Sequence, residues 1–374
     1  MILSPQAWGN MFLSKHHYAI ELAKRGNRVY FLNPPDDKKK LNRGEIKISS
    51  SGLNENLFFI EQNLFFPYNI KFHAMGLFQW LMKFHIRKIM KAISAPVDIV
   101  WSFELGNLYP FKLFGAGIYK IFHPVDEPLN QHAINAAAGA DIIFSVTNEI
   151  LEKYRHYNIP AHFINHGVTQ DFLLPVDINK PSQEPVHIGL SGNFLRPDID
   201  RETLLQIIDE NANVVFDCWG SYHIDQTNIG GAADEGTRSF IQQLQAKKNV
   251  VLHGVLSSTQ LATAIHAVDG FLICYDVEKD QSKGTNYHKL IEYLSTGKVV
   301  ISNNVSTYKD QPALVQMIAE RTHNRTLPAL FKKVVSDLPG YNDPQLQQQR
   351  IAFANNNTYP KQIERISQIL AHGA

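Results

Sequence analysis

KGTNYHKLIEYLSTGKVVIS, residues 283–302, reads as a short polar loop, an amphipathic helix, a glycine stop and an apolar strand. Tyr287, Leu290, Ile291 and Leu294 recur at helical spacing and form one apolar stripe, which leaves His288, Glu292 and Ser295 on another face. Gly297 ends the helix, and the β-branched VVIS behind it suits a strand buried on both faces. The loop KGTN is expected to present the N–H groups of Thr285 and Asn286 to an anion at the helix start. A competing reading makes Thr285 or Asn286 a plain helix cap, with Lys289 and Glu292 a surface pair.

The same helix-then-strand alternation runs outward through nearly the whole chain, which is the signature of parallel βαβ units. In the first half, strands are expected near 28–32, 97–101, 118–122, 141–145 and 161–164. FLSKHHYAIELAKRG forms a helix that stops at Gly26 before NRVYFL. Periodicity lapses in VTQDFLLPVDINKPSQEP, then restarts with strands in VHIGLSG, NVVFDCWG, NVVLHGV and GFLICY and helices in RETLLQIID, TQLATAIHAV and ALVQMIAER. The chain is 374 residues long, beyond what one core usually serves. The expected architecture is α/β, with two Rossmann-like doubly wound parallel-sheet domains facing a cleft. They span 1–168 and 186–351, with a linker at 169–185 and a crossing helix, 352–374, that returns to the first domain.

Composition narrows the function. A net charge of +1 with 44% hydrophobic and 19% charged residues speaks against disorder and against a general affinity for nucleic acid. Cys218 and Cys274 sit in apolar strand-like runs without metal-ligand spacing, so they read as buried thiols in a reducing cytosol. No run of ~18 apolar residues and no signal-peptide pattern is visible, so the protein is expected to be cytoplasmic. The chain opens almost at once in a short strand, which suggests that a few residues precede it. No H-E-x-x-H motif is present, and DID at 198–200 precedes a helix and reads as an N-cap, so no protein-held metal is expected.

A second anion-competent loop opens the second domain. IGLSGNFLRPDID passes from a strand through Gly192 and Asn193 into a helix and brings Arg196 or Arg201 to the same edge. It is neither a G-x-G-x-x-G fingerprint nor a P-loop. GNFLRPDIDRETL, CWGS, NVVLHGVLSSTQLATAIHAVDGFLICY and NYHKLIEYLSTGKVVIS together resemble the C-terminal half of GT-B nucleotide-sugar glycosyltransferases, particularly bacterial surface-polysaccharide enzymes. The resemblance covers about the whole second half. It implies sugar transfer from a nucleotide-diphosphate donor, used as co-substrate with no tightly bound cofactor, to a glycan or lipid-linked acceptor. Many relatives carry a Glu-x7-Glu motif on this helix. Glu292 falls on the second Glu, which in the family accepts hydrogen bonds from the ribose hydroxyls, a role suited to an acceptor-only carboxylate. Gly284 stands where the first Glu would be, a departure from the retaining branch. Thr285, Asn286 and Lys289 then become the diphosphate candidates, opposite Gly192 and Asn193.

Transfer also needs a positioned hydroxyl and a base for its proton. IFHPVDEPLNQH places His123, Asp126 and Glu127 after a strand. The resemblance to an inverting branch favours Asp126 as base, against an acidic helix cap ahead of Pro128. INHGV resembles the family's interdomain turn and puts His166 near the cleft, unless it is a satisfied hinge histidine. Gly9 and Asn10 correspond to the acceptor-side glycine loop. NLFFPYNIKFHAMGLFQWLMKFHIRKIMKA mixes aromatics with Lys83, Arg87, Lys88 and Lys91. It reads either as a peripheral membrane helix or as a core-packed helix with a solvated basic face. The rival functions are a nucleotide-sugar epimerase of the same architecture and a non-catalytic sugar-binding protein.

Overall fold

The computed structural model describes residues 1–9, 12–36, 40–179, 181–223, 234–280 and 282–372. The chain divides into two compact units, Met1–Asn165 with Gln362–Ala374, and His166–Lys361. It therefore passes between them twice, and the return falls at Gln362 within the Tyr359–His372 helix. The helix Pro344–Asn356 lies wholly in the second unit. Val168 and Thr358 bridge within the second unit, which fastens both passing strands of chain at one place.

The first unit carries β1 (Ile2–Leu3), β2 (Val29–Leu32), β3 (Ile46–Ser50), β4 (Leu57–Gln62), β5 (Ile99–Ser102), β6 (Tyr119–Phe122), β7 (Ile142–Ser145) and β8 (Ala161–Phe163). They form one sheet in the order β3-β4-β2-β1-β5-β6-β7-β8, parallel throughout except for the antiparallel β3–β4 pair. The β3–β4 hairpin is an addition to the strands read from sequence. Its outer strand, IKISS, lies at the sheet edge with no fully buried residue, so it carries none of the apolar run that marks a central strand. The Met75–Ala92 helix closes one face by burying Phe78, Met82, His85, Ile86 and Ile89, an i, i+4, i+7, i+8, i+11 stripe.

The second unit carries β9 (Val186–Ser191), β10 (Val214–Trp219), β11 (Val250–Gly254), β12 (Gly270–Ile273), β13 (Val299–Ser302) and β14 (Val315–Met317), all parallel, in the order β11-β10-β9-β12-β13-β14. Ile207, Phe240 and Phe331 pack one face, and Ile265, Leu290 and Tyr308 the other, so the sheet is covered on both sides. ALVQMIAER, read from sequence as a helix, instead supplies β14. Val315 pairs with Val300 at the sheet edge, and that ladder outweighs the local helical preference of three residues. Among the described residues no helix is long and apolar enough to cross a membrane. Both cysteines are free and buried, and burial pushes their thiols up.

Arg350 fixes the part of this unit that matters most for a ligand. Its guanidinium is fully buried and donates to the carbonyls of Ala313 (2.9 Å), Gly297 (3.0 Å) and Tyr341 (2.9 Å). Gly297 ends the Lys289–Leu294 helix segment, so Arg350 pins that segment against the Pro344–Asn356 helix. Desolvation lowers its pKa to about 10, yet it keeps its charge at neutral pH because carbonyl dipoles solvate it. Arg350→Ala should cost about 3 kcal/mol or more, since three buried carbonyls lose their donor at once. Urea unfolding with an unchanged m-value measures this, and a loss under about 1 kcal/mol would show that water replaces the guanidinium.

Candidate functional site

In the second unit, β10 and β11 build out from β9 on one side while β12, β13 and β14 build out on the other. The chain direction therefore switches between β9 and β12, and open parallel sheets bind ligands at the carboxyl ends of the strands at such a point. Ser191 ends β9 and Tyr275 follows β12 by two residues. Lys289 joins them, donating to the Ser191 carbonyl and to the Tyr275 hydroxyl, the latter at 2.6 Å. Burial works against its charge, but Tyr275, Tyr293 and Glu292 more than offset that and hold its pKa above the ordinary lysine value. An ammonium has three donors, so the contacts just named leave one for a ligand oxygen.

Gly192, directly after β9, permits this approach. Its φ is +154°, and a Cβ there would meet Lys289 Nζ at 2.8 Å and Tyr275 Oη at 3.3 Å. The Ser191 amide donates to Tyr293 Oη at 2.6 Å, so the strand end is held from the same helix that carries Lys289. Asn193 folds the next turn by accepting from the Leu195 amide at 3.0 Å.

Glu292 lies on that helix, three residues beyond Lys289, with its side chain 15% exposed. One carboxylate oxygen is 3.2 Å from His288 Nδ1, and His288 Nε2 lies 2.9 Å from Tyr359 Oη. His288 therefore stands between Glu292 and Tyr359 with one ring nitrogen toward each. His166, 7% exposed, packs edge-on to His288 with ring centroids 5.4 Å apart. His288 uses one acceptor position of Glu292, and a carboxylate offers about four.

The first unit has its own switch point, between β1 and β5, where the sheet again grows in two directions. A cavity of about 740 Å³ opens there, lined by Ser4 after β1, Pro34 and Asp36 after β2, Arg43 ahead of β3, Asn63, Phe66 and Tyr68 after β4 and Glu104 after β5. It is far larger than the pocket of about 30 Å³ lined by Ser191, Gly192, Tyr275 and Lys289. Glu104 is 8% exposed and accepts from the Leu108 amide at 2.7 Å. Burial raises its pKa, with the Leu108 amide and Lys71 acting in the opposite sense. Lys71 and His132 converge on the Gly106 carbonyl at 2.5 and 2.8 Å and hold the loop that carries it.

No family model matches the sequence, and no curated protein matches it. Solved structures do match in shape. A UDP-forming trehalose-phosphate synthase from Burkholderia xenovorans, in complex with glucose-6-phosphate, aligns with a TM-score of 0.69 at 10% identity over 99% of each chain. A sucrose-phosphate synthase from Thermosynechococcus elongatus aligns at 0.68 and 12% identity over 99% of this chain and 98% of its own. A lipopolysaccharide outer core galactosyltransferase in its apo form aligns at 0.65 and 14% identity over 100% and 99%. The chain has the GT-B fold.

Within this GT-B chain, several residues singled out from sequence are placed differently from expectation. The Thr285 amide is already committed to the Ser282 carbonyl at 3.0 Å and its hydroxyl to the same oxygen at 2.7 Å, so it presents no N–H to an anion. The helix begins at Lys289 with His288 ahead of it, so neither Thr285 nor Asn286 caps it, and Asn286 is buried at 4% exposure. Lys289 and Glu292 do not form a surface pair, because each has the other partners described above. Gly284 has φ +64°, and a Cβ there would lie 2.8 Å from the Asn304 carbonyl, so this backbone rejects the glutamate that relatives carry. Buried Asp280, which sequence reasoning passed over, ties the loop by accepting from the amides of Ser282 (3.1 Å) and Gly284 (3.0 Å). Arg196 grips Asp198 with its Nε at 2.9 Å and 3.0 Å from the two carboxylate oxygens. Arg201 donates to Thr237 Oγ1 at 2.8 Å and lies over the Phe240 ring, and both are structural contacts rather than ligand contacts. Asp200 is the N-cap of the Arg201–Glu210 helix, accepting from the Thr203 amide at 3.1 Å.

The first unit corrects the acid–base trio. His123 is fully buried among Tyr18, Trp101, Phe103 and Phe144, with Trp101 Nε1 at 3.3 Å from its Nδ1, so it reaches no substrate. Burial lowers its pKa to about 3. Glu127 is held by Lys153. Asn130, not either acid, caps the following helix by accepting from the Ala133 amide at 3.0 Å. Asp126 is exposed, and its charge favours the ammonium of buried Lys15, whose pKa desolvation lowers to about 8. Gly9 lies in the loop after β1, and Asn10 lies outside the described residues. Among the described residues no group of three or more His, Cys, Asp or Glu is placed to hold a metal ion.

His123 shares its burial with His16 and His85, whose pKa values desolvation lowers to about 4. All three are neutral when folded, so the unfolded chain binds more protons below the ordinary histidine value of 6.5, and stability should fall as pH drops from there toward about 4. Urea midpoints across that range check the sign. In an NMR titration the His123 ring should hold its neutral shifts to pH 4 or below, whereas a midpoint near 6.5 would show that it meets solvent.

Proposed function

We propose that the chain is a glycosyltransferase that moves a sugar from a nucleotide-diphosphate donor, bound by the second unit, to a hydroxyl of a glycan or lipid-linked acceptor, bound by the first, in surface polysaccharide synthesis. One observation carries the reading. Lys289 is built into the β9/β12 switch point with Glu292 three residues beyond it on the same segment, so one short helix supplies both a cation for a diphosphate and an acceptor-only carboxylate for a ribose.

The leaving diphosphate gains negative charge as the glycosidic bond breaks, and a fixed ammonium beside the Gly192–Asn193 turn stabilises that charge without reorganising. Glu292, steadied by His288, would take both ribose hydroxyl protons as hydrogen bonds. The first unit's cavity suits a polyhydroxylated acceptor, because Asp36, Asn63 and Glu104 can each accept from a sugar hydroxyl. Asp126 remains the proposed base. Glu104 joins it as a second candidate, since burial moves its pKa toward the working pH of a base. The fold neighbours include one protein in complex with UDP and glucose, which supports a nucleotide-sugar donor as co-substrate here. The free buried thiols suit a reducing cytoplasm, where such donors are available.

A thermal-shift screen of nucleotide sugars identifies the donor, because a ligand specific to the folded chain raises its apparent stability. With that donor, Glu292→Gln should weaken binding by about 1 to 3 kcal/mol, the cost of a lost charge-assisted bond. Unchanged affinity would remove Glu292 from the ribose site. Asp126→Asn and Glu104→Gln separate the two bases: the true one should lose turnover with donor binding near normal. Nucleotide diphosphate released only when acceptor is present supports transfer. Donor isomerisation without acceptor would make the chain an epimerase, and binding without turnover would make it a sugar-binding protein.

A further inference from the structure

The Met75–Ala92 helix buries one apolar stripe and exposes a second. On the side opposite Phe78, Met82 and Ile89, Leu77, Trp80 and Phe84 stand 49%, 57% and 42% exposed, and the turn just ahead adds Phe72 at 70%. At 100° per residue the same exposed face continues into Arg87 and Lys91, with Lys83 on its flank. Trp80 and Phe84 pack edge to face at 4.8 Å, and the Arg87 guanidinium lies 5.9 Å from the Phe84 ring, so the aromatic and basic halves form one continuous surface. Exposed apolar side chains scattered singly need no account, but a contiguous set does.

Charge selects the occupant. From Gln62 to Val97 the sequence holds Lys71, Lys83, Arg87, Lys88 and Lys91 and no Asp or Glu, in a chain whose net charge is only +1. A second copy of the same face would bring like charges together in a two-fold contact, and a typical protein interface depletes lysine around its apolar centre. An anionic bilayer takes both halves of the surface. Aromatic rings settle at headgroup level, and Lys or Arg meet the lipid phosphates. The apolar strip also runs on to the cavity of the first unit. Tyr68 lines that cavity, is 43% exposed, and its ring stands 5.8 Å from Phe72.

We propose that this face, Phe72 with Leu77, Trp80 and Phe84 backed by Arg87 and Lys91, docks the first unit onto an anionic lipid surface and sets the cavity mouth at headgroup level. The docking stands on the exposed face alone. The test below uses no nucleotide sugar, so the docking and the function proposed above can fail separately.

The full chain is floated with extruded vesicles of phosphatidylcholine alone and of phosphatidylcholine with phosphatidylglycerol, at low and high salt. Binding is expected on the anionic vesicles, weakened by salt, with a blue shift of tryptophan emission that Trp80→Phe removes. Trp80→Ser with Phe84→Ser should lower partitioning about tenfold, and Arg87→Gln and Lys91→Gln about fivefold each. Leu53→Ser, at an equally exposed apolar residue in the β3–β4 turn, should change nothing. These side chains are exposed, and an unchanged unfolding midpoint confirms that each variant is folded. Equal binding to neutral and anionic vesicles, unchanged partitioning of the Trp80 and Phe84 variant, or a dimer that Trp80→Ser dissociates would each overturn the proposal.

Discussion

A charged ammonium inside a sheet edge has to be solvated by protein oxygens, and in the second unit that need organises the ligand edge. Lys289 draws together the end of β9 and the residue after β12, the two places between which the sheet changes direction. Gly192 is without a side chain because the ammonium occupies the space a Cβ would need. Tyr293, from the same helix segment, holds the Ser191 amide, and Arg350 holds the segment from behind through Gly297. The cation is thus fixed before any ligand arrives, which is the condition under which electrostatic stabilisation costs no reorganisation.

The two units solve the same problem with different chemistry. Each sheet grows in two directions from a switch point, with loops gathered at the carboxyl ends of its parallel strands. The second presents a cation held between the end of β9 and Tyr275. The first presents a hollow with carboxylates, Asp36 and Glu104, and its walls come from the segments that follow β1, β2, β4 and β5.

Histidines show how burial decides a role that residue type leaves open. His123 follows a strand, as a catalytic base would, yet rings enclose it and it stays neutral. His288 has a carboxylate on one nitrogen and a phenol on the other, and so orients Glu292. His166 packs against it.

The sequence by itself determined the α/β class, the parallel second sheet and the helix stripe of Leu290, Ile291 and Leu294, because hydrophobic periodicity is a local property of the chain. The resemblance of its second half to GT-B enzymes also set Lys289 opposite Gly192, with Glu292 on the same helix. Tertiary structure alone decided which polar groups are spent. Arg196, Arg201, Thr285 and Glu127 all look available in sequence, and each is taken by a partner that spacing does not reveal: Asp198, Thr237, Ser282 and Lys153. Long-range packing likewise made a strand of Val315–Met317, closed His123 away from solvent and left Trp80 and Phe84 outside, since burial depends on what the rest of the chain brings to a residue and not on its neighbours in sequence.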